Sequence, residues 1–295
     1  MRWRPGYLTI LFVWLIFGYS LQYAQADEAR LTLMDGLIAT AAYKAGNPEL
    51  PAVLILHGFL QTRDSPTVHQ LAESLSDIGY TVLSPNLSLG ISKRNKSLVC
   101  EAIHLHSMEG DLKEIDTWVN WLVSKGHNQI VLIGHNYGSL MLIAYLSSHP
   151  NPAVRKLIAV SLVDAQVDMG GQQWQKTETD LQHKLNDKDA SLVQYALSFC
   201  KKYPTSAQNY MSYASWQRTR VLKVLSHLRV PVTIIIGDGD TRLGASWASA
   251  LKKANPSLVV IKGADHFMSG KYQFDLLNAV LVALRLPQAK QGLSY

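Results

Sequence analysis

Short apolar runs recur along the chain. Continuous runs of this length are typical of strands that are buried on both faces of a parallel sheet. The pattern therefore predicts strands at Ala52–Leu56, Tyr80–Ser84, Gln129–Ile133, Leu157–Val163, Val232–Ile236 and Leu258–Lys262.

Apolar residues at helical spacing separate the first three of these runs. They are Val68, Leu71, Ala72, Leu75 and Ile78 in the first interval, and Leu112, Ile115, Trp118, Val119 and Leu122 in the second. Repeated strand, helix, strand units predict an α/β protein with a mostly parallel, doubly wound sheet and helices on both faces. Residues 30–44 are predicted to add a hairpin with Asp35-Gly36 at its turn.

One interval interrupts this alternation. From about Ala165 to Tyr213 the chain is polar, contains Gly170-Gly171 and has no strand-like run. An insertion of that length is usually a lid or cap over a site. We therefore predict a cap insertion at about 165–213, with a surface excursion of no role as the alternative.

The first 26 residues have the order of a secretory signal peptide. Arg2 and Arg4 precede an apolar stretch, and Ala24-Gln25-Ala26 supplies a small-x-small cleavage site. The apolar part is short for a membrane span. We expect cleavage after Ala26 and a periplasmic or secreted mature domain, residues 27–295. An uncleaved segment, which would anchor the protein in a membrane, is the alternative.

Composition and charge indicate a folded protein and argue against a nucleic-acid partner. With 295 residues, 47% hydrophobic and 17% charged, the chain can bury a sizeable core. The formal charge of +6 becomes +4 without Arg2 and Arg4, because the first 26 residues hold no acid. The densest basic cluster, residues 93–96, is short and lacks aromatic residues, so we interpret it as a solvated loop and expect no nucleic-acid partner.

The two cysteines, Cys100 and Cys200, allow two interpretations. An even count after an export signal is compatible with one disulfide. Two isolated buried thiols are the alternative. No Cys-x-x-Cys pair or zinc-ligand array occurs, so we expect no metal and no cofactor.

Residues 134–138 read Gly-His-Asn-Tyr-Gly, directly after a predicted strand and before an apolar helical pattern. This strand, sharp turn and helix is the context of a nucleophile elbow. The central residue of an elbow has positive φ, and the flanking glycines allow close approach of neighbouring segments. Asn tolerates positive φ better than most residues. Asn136 is therefore predicted to keep the elbow's shape at the nucleophile position.

Two further motifs follow at predicted strand ends. Residues 237–240 read Gly-Asp-Gly-Asp and residues 263–266 read Gly-Ala-Asp-His. Elbow, acid and histidine in that order is the arrangement of a hydrolase triad. Upstream, His57-Gly58-Phe59 ends another strand, and we expect the backbone N–H groups of Phe59 and Tyr137 to form an oxyanion hole.

These motifs resemble those of the α/β-hydrolase family, over essentially the whole mature sequence. "GHNYG" matches Gly-x-Ser-x-Gly except at Asn136. "GDGD" resembles the acid loop and "GADHF" the histidine loop, which implies Asp240 and His266 as catalytic residues. The resemblance implies hydrolysis of an ester or similar small acyl substrate. Residues 88–106 and the helix around Trp118 and Trp121 also resemble a little-characterised group of exported bacterial hydrolase-like proteins.

An asparagine at the elbow changes the expected chemistry. Its amide has no nucleophilic oxygen for the usual acyl-enzyme step. Deamidation of Asn136 to Asp is not expected, since Tyr137 rather than Gly follows and the turn is rigid. Ser139, Ser161 and Cys100 are expected to be structural, because the sequence places no base beside them.

Three functions therefore stay open. The first is an enzyme with an atypical or impaired nucleophile position, in which an Asp240–His266 pair activates water for weak hydrolysis. The second is an inactive pseudo-hydrolase that binds a small ligand or a protein partner. The third is a lyase that uses His266 as a base without an acyl-enzyme.

Other polar residues receive structural interpretations. Asp164 is the alternative triad acid, after Asp240. Asp265 is expected to cap the turn at His266, and His135 to pack at the elbow. His104 and His106 have alternating spacing but no third metal ligand in the sequence, so we expect them to form hydrogen bonds or line the mouth of a pocket.

Overall fold

The computed structural model describes residues 27–165, 181–187, 189–255 and 257–285. The predicted signal peptide and residues 166–180 of the predicted cap lie outside these ranges. Within them, no helix is both long enough and apolar enough to cross a membrane.

An eight-stranded sheet forms the centre of the molecule, in the order β1-β2-β4-β3-β5-β6-β9-β10. From β4 to β10 all neighbouring strands are parallel, and β2 is antiparallel to both β1 and β4. The strands are β1 (Asp27–Thr32), β2 (Ile38–Lys44), β3 (Ala52–Leu56), β4 (Val82–Asn86), β5 (Ile130–His135), β6 (Val154–Val160), β9 (Val232–Gly237) and β10 (Leu258–Ile261).

Helices cover both faces of this sheet, because successive strand side chains point to opposite sides. Leu54, Leu56 and Leu132 face a core formed with α2 (Met108–Ser124), α3 (Tyr137–Ser148), α4 (Ala207–Ala214), α5 (Arg218–Leu225) and α6 (Gly244–Ala254). Val53, Ile55 and Val131 face a second core formed with α1 (Pro66–Asp77) and α7 (Tyr272–Leu284). The predicted doubly wound α/β sheet is therefore confirmed.

The N-terminal hairpin is also confirmed. β1 pairs with β2 from Asp27↔Tyr43 to Thr32↔Ile38. The turn places Gly36 at a φ of +83°, where a side chain would strain the backbone. The Asp35 carboxylate accepts a hydrogen bond from the Leu37 N–H.

Three details of the predicted pattern are wrong. β10 is an edge strand, so Val260 is half exposed instead of buried on both faces. β6 ends at Val160 and not at Val163, because Ser161 has a φ of 49° and turns the chain away from the sheet. Ile78 follows the last residue of α1 and is 48% exposed, so it does not belong to the buried face of that helix.

The region interpreted as strand-free contains a second sheet. β7 (Val193–Leu197) and β8 (Cys200–Thr205) form a two-stranded antiparallel hairpin. Tyr195 and Leu197 of β7 are buried and alternate with more exposed residues, whereas in β8 two exposed lysines separate the buried Cys200 and Tyr203. The period of two in β7 was the signal that sequence reasoning missed. Of the two interpretations of the cysteines, the disulfide is confirmed, since Cys100 and Cys200 are bonded and join the loop after β4 to this hairpin.

Candidate active site

The elbow lies between β5 and α3. Asn136 has φ 55° and ψ −122°, a strained conformation that the surrounding turn imposes. A Cβ on residue 134 would lie 2.5 Å from the Ser139 nitrogen, and one on Gly138 would lie 2.5 Å from the His57 carbonyl oxygen. Both glycines are therefore required by close backbone contacts, and residue 136 is held at the point of the turn.

The loops after β9 and β10 bring Asp240 and His266 together. The His266 Nδ1–H donates to Asp240 Oδ2 at 2.6 Å, and both side chains are buried. A Cβ on Gly237 would lie 2.1 Å from the Ala264 carbonyl oxygen, so a glycine is needed for the two loops to approach. Because Nδ1 carries the proton, Nε2 of the neutral ring is left as an acceptor.

The Asn136 side chain fills the space where a nucleophile would meet this ring. Its Nδ2 amide group donates to His266 Nε2 at 2.6 Å. Its Oδ1 accepts from the Tyr137 N–H at 2.5 Å. The opposite amide orientation would set donor against donor at Tyr137 and acceptor against acceptor at His266. The amide therefore bridges the imidazole and the first N–H of α3.

Of the two residues predicted for the oxyanion hole, Tyr137 contacts this amide oxygen through its N–H, and Phe59 contacts Tyr137 through its ring. Tyr137 supplies the N–H that Oδ1 occupies, and a Cβ on Gly58 would lie 3.2 Å from the same oxygen. The rings of Phe59 and Tyr137 pack with centroids 4.8 Å apart. The Asn136 amide oxygen therefore holds the N–H that was predicted to bind a substrate's carbonyl oxygen.

The carbonyl oxygen of His266 is held by two side chains. Ser161 Oγ donates to it at 2.7 Å, and the His135 Nε2–H donates at 3.2 Å. Burial, with a smaller effect from His266, lowers the pKa of His135 to about 4, so its ring is neutral. Sequence reasoning assigned neither residue this supporting role, because the contact joins three segments far apart in the chain.

The histidine loop is also closed by its own backbone. Asp265 Oδ1 accepts from the N–H groups of Phe267 and Ser269, so this carboxylate caps the turn that carries His266. The Thr67 hydroxyl, from the start of α1, donates to the Phe267 carbonyl at 2.7 Å. These contacts agree with the capping role expected for Asp265.

The alternative nucleophiles and acid are engaged elsewhere. Ser139 Oγ donates to the carbonyl oxygen of Gly134 at 2.7 Å, inside the elbow. Cys100 is bonded to Cys200. Asp164 forms an ion pair with Arg218 at 3.3 Å, whereas Asp240 contacts His266.

A buried polar network ties the hairpin and α4 to the loop before α2. Tyr213 Oη donates to Asp111 Oδ2 at 2.6 Å and accepts from His106 Nδ1 at 2.5 Å, while Tyr203 Oη donates to His106 Nε2 at 3.2 Å. His104 stacks on Tyr203 with ring centroids 4.1 Å apart. In the part of the chain that the structure describes, no three His, Cys, Asp or Glu residues group as metal ligands.

Behind the oxyanion turn, His57 anchors the backbone. Its Nε2 accepts from the Leu87 N–H and from the Arg94 guanidinium, and burial with the nearby Arg94 charge lowers the pKa of His57 to about 3. Arg94 is only 4% exposed. The solvated-loop interpretation is therefore wrong for this residue, because its guanidinium also donates to the carbonyls of Leu87 and Lys96 and fixes the loop.

Comparison with known proteins agrees with this architecture. A model of the alpha/beta hydrolase fold matches residues 51–212. Since this is more than half of the chain, the protein belongs to the alpha/beta hydrolase fold family. No curated protein matches the chain in sequence.

Solved structures resemble the chain at low identity. DcsB, in complex with its substrate analogue, has 15% identity and a TM-score of 0.68, over 88% of this chain and 99% of that one. Est1E from Butyrivibrio proteoclasticus has 17% identity and a TM-score of 0.61, over 87% of this chain and 98% of that one. A monoacylglycerol lipase from Paleococcus ferrophilus has 18% identity and a TM-score of 0.61, over 83% of this chain and 97% of that one. Identities this low show the fold and leave the reaction open.

Proposed function

We propose that this chain is a hydrolase-type protein for a small ester or related acyl compound, in which the acid–base pair is kept and covalent catalysis is lost. One observation carries the proposal. Asn136 stands at the elbow with its amide on His266 and on the Tyr137 N–H, so no hydroxyl can form an acyl-enzyme. Slow hydrolysis by water, with His266 as base, is the reaction that such a site supports.

The substrate class is supported by the surroundings of the site. Est1E, one of the similar structures, has been solved with ferulic acid bound. A small acyl compound is the substrate class that a histidine base beside an N–H donor for a carbonyl oxygen supports.

Labelling with a fluorophosphonate tests this proposal. Wild-type protein should not react, because no activated hydroxyl lies beside His266. Asn136→Ser should gain labelling and about 100-fold or more in ester hydrolysis, since loss of a nucleophile costs several powers of ten. Asn136→Ala is the control, and it should stay unlabelled. A labelled serine in the wild type, located by peptide mapping, would show that the nucleophile has been misidentified.

A second function, ligand binding without turnover, is favoured by the position of Asn136 Oδ1. Because this oxygen occupies the Tyr137 N–H, a substrate carbonyl would have to displace it before any hydrolysis. Calorimetric titration with short acyl and aryl esters should then show binding by wild-type protein with no product formed over hours. Product formation that His266→Gln abolishes would favour the hydrolase instead.

We also propose that the protein is exported and that residues 1–26 are removed. The order of basic, apolar and small residues supports this, and so does the Cys100–Cys200 disulfide, since disulfides persist mainly in oxidising compartments. N-terminal sequencing of the exported protein should begin at Asp27. A full-length chain extracted from membranes would contradict cleavage.

A further inference from the structure

We infer that the site acts on its own elbow residue and hydrolyses the Asn136 side chain to aspartate. The inference rests on the site residues named in the proposed function and adds an activity, amide hydrolysis within the chain. Its product would place a carboxylate at the elbow.

The Asn136 amide is held as an amide substrate would be held. Its carbonyl oxygen lies on the Tyr137 N–H at 2.5 Å and against the Gly58 turn. Its nitrogen, the leaving group in amide hydrolysis, lies 2.6 Å from His266 Nε2. Asp240 holds this imidazole in the tautomer that can accept a proton. The Tyr137 N–H, as oxyanion donor, therefore contacts the oxygen of this side-chain amide, and His266, as general base, contacts its nitrogen.

The reaction needs only water as co-reactant. When the hydrogen bond from Nδ2 to His266 Nε2 opens, water adds to Cγ of Asn136 while one of its protons passes to the freed Nε2, and the resulting oxyanion is stabilised by the Tyr137 N–H. The protonated imidazole then gives that proton to Nδ2. The Cγ–Nδ2 bond breaks to give a carboxylic acid and ammonia, and transfer of the acid's proton leaves an aspartate side chain at position 136 and an ammonium ion.

The fold favours the product over the reactant. Residue 136 is the N-cap of α3, and a carboxylate there is stabilised by the N–H groups and the dipole of the helix. The same carboxylate would face the His266 ring, which can become a cation beside it. An amide at this position gains neither charge interaction.

This route differs from ordinary asparagine deamidation. In the ordinary route the backbone nitrogen of the next residue attacks Cγ, and a bulky Tyr137 in the first turn of a helix disfavours that attack. Opening of the resulting ring also gives mixed products, α-aspartate and isoaspartate. Direct hydrolysis leaves the backbone unchanged and gives α-aspartate alone.

The experiment compares two asparagines in one molecule. Asn209 is also followed by a tyrosine, Tyr210, and also lies in the first turns of a helix, but its Nδ2 donates to the Leu105 carbonyl and not to a histidine. Purified protein is incubated at neutral pH, and both sites are followed by peptide mass mapping with separation of isoaspartate. Asn136 should convert about 100-fold faster than Asn209, because acid–base catalysis contributes at least that factor. The product should be α-aspartate only.

Two measurements keep the inference falsifiable. His266→Gln should slow conversion of Asn136 to near the rate of Asn209, and so should unfolding of the wild type in urea, which requires no substitution. Equal rates for Asn136 and Asn209 in the folded wild type would overturn the inference. So would fast conversion that persists in His266→Gln and yields isoaspartate. These readouts do not involve an added ester, so the proposed function can fail on fluorophosphonate labelling while self-hydrolysis still occurs.

Discussion

The sheet side and the cap side of the site are held by different kinds of interaction. On the sheet side, the turns after β3, β5, β9 and β10 meet through backbone contacts so close that glycine is needed at residues 134, 138 and 237. On the cap side, the β7–β8 hairpin and α4 are held by side chains: one disulfide, stacked rings and the hydrogen bonds among His106, Asp111 and Tyr213.

This difference shows that the shape of the site and the identity of its nucleophile depend on different residues. The sheet side keeps the shape of a hydrolase even though Asn136 has no hydroxyl, because the shape depends on φ, ψ and glycine contacts and not on the nucleophile. In the described part of the cap side, the hairpin is joined to the loop before α2 by a backbone bond from the His104 N–H to the Pro204 carbonyl oxygen and by the side-chain contacts named above. Damage to the two sides should therefore have different consequences.

Breaking the disulfide should have the largest effect. The bond closes a loop with a sequence separation of 100 residues, and the chain-entropy model gives a loss of about 4 kcal/mol when such a loop is opened. Urea unfolding of the Cys100→Ser, Cys200→Ser double variant should show this loss, and so should the wild type with reductant. The double variant with reductant is the control and should show no further change. Equal stability of oxidised and reduced wild type would mean that the hairpin is held by its other contacts.

Crowding the elbow should have the next largest effect. In Gly138→Ala the new methyl group would lie 2.5 Å from the His57 carbonyl oxygen, and relief of this clash should cost about 3 kcal/mol. Gly110→Ala is the matched control, since it also lies in the first turn of a helix but its Cβ would meet only Ser107 Oγ at 3.6 Å. It should stabilise by about 0.5 kcal/mol.

Urea unfolding would measure the change in the free energy of unfolding for both Gly138→Ala and Gly110→Ala. A similar, small change in the two variants would show that the elbow can relax, contrary to the description of the sheet side as fixed by close contacts. In the Asn136→Ser background, Gly138→Ala should also lower fluorophosphonate labelling, because the serine would move away from His266.

The same contrast explains how much could be predicted from the sequence. The parallel sheet strands, helices α1, α2 and α3 and the motifs around Asn136, Asp240 and His266 are local patterns, so periodicity and glycine placement were enough to predict them. The β7–β8 hairpin was missed, because its polar strand residues gave no continuous apolar run and its stability comes from contacts far along the chain.

Two features of the site could not be predicted from the sequence for another reason. The supporting bonds from Ser161 and His135 to the His266 carbonyl join segments more than 100 residues apart. The orientation of the Asn136 amide depends on two partners, Tyr137 N–H and His266 Nε2, whose positions relative to one another no motif specifies. A pattern can locate a residue on a turn but cannot say what its side chain contacts.

The smallest effect concerns pH and distinguishes the two sides once more. His135, beside His266 on the sheet side, has its pKa lowered by burial to about 4, against 6.5 in the unfolded chain. The unfolded state therefore binds more protons between these values, so stability is full above about pH 6.5 and is lost as pH falls toward about 4. Between about pH 8 and about pH 5 this histidine should lower the wild type's free energy of unfolding by about 2 kcal/mol.

His135→Gln, whose amide can still donate to the His266 carbonyl, should lose about 2 kcal/mol less of its free energy of unfolding than the wild type over that interval, as measured by urea unfolding. His69→Gln, a substitution at an exposed position, is the control and should retain the wild-type loss. Equal acid sensitivity of His135→Gln and wild type would show that protonation of other buried groups, such as His57 with its pKa of about 3, governs the acid response of the sheet side.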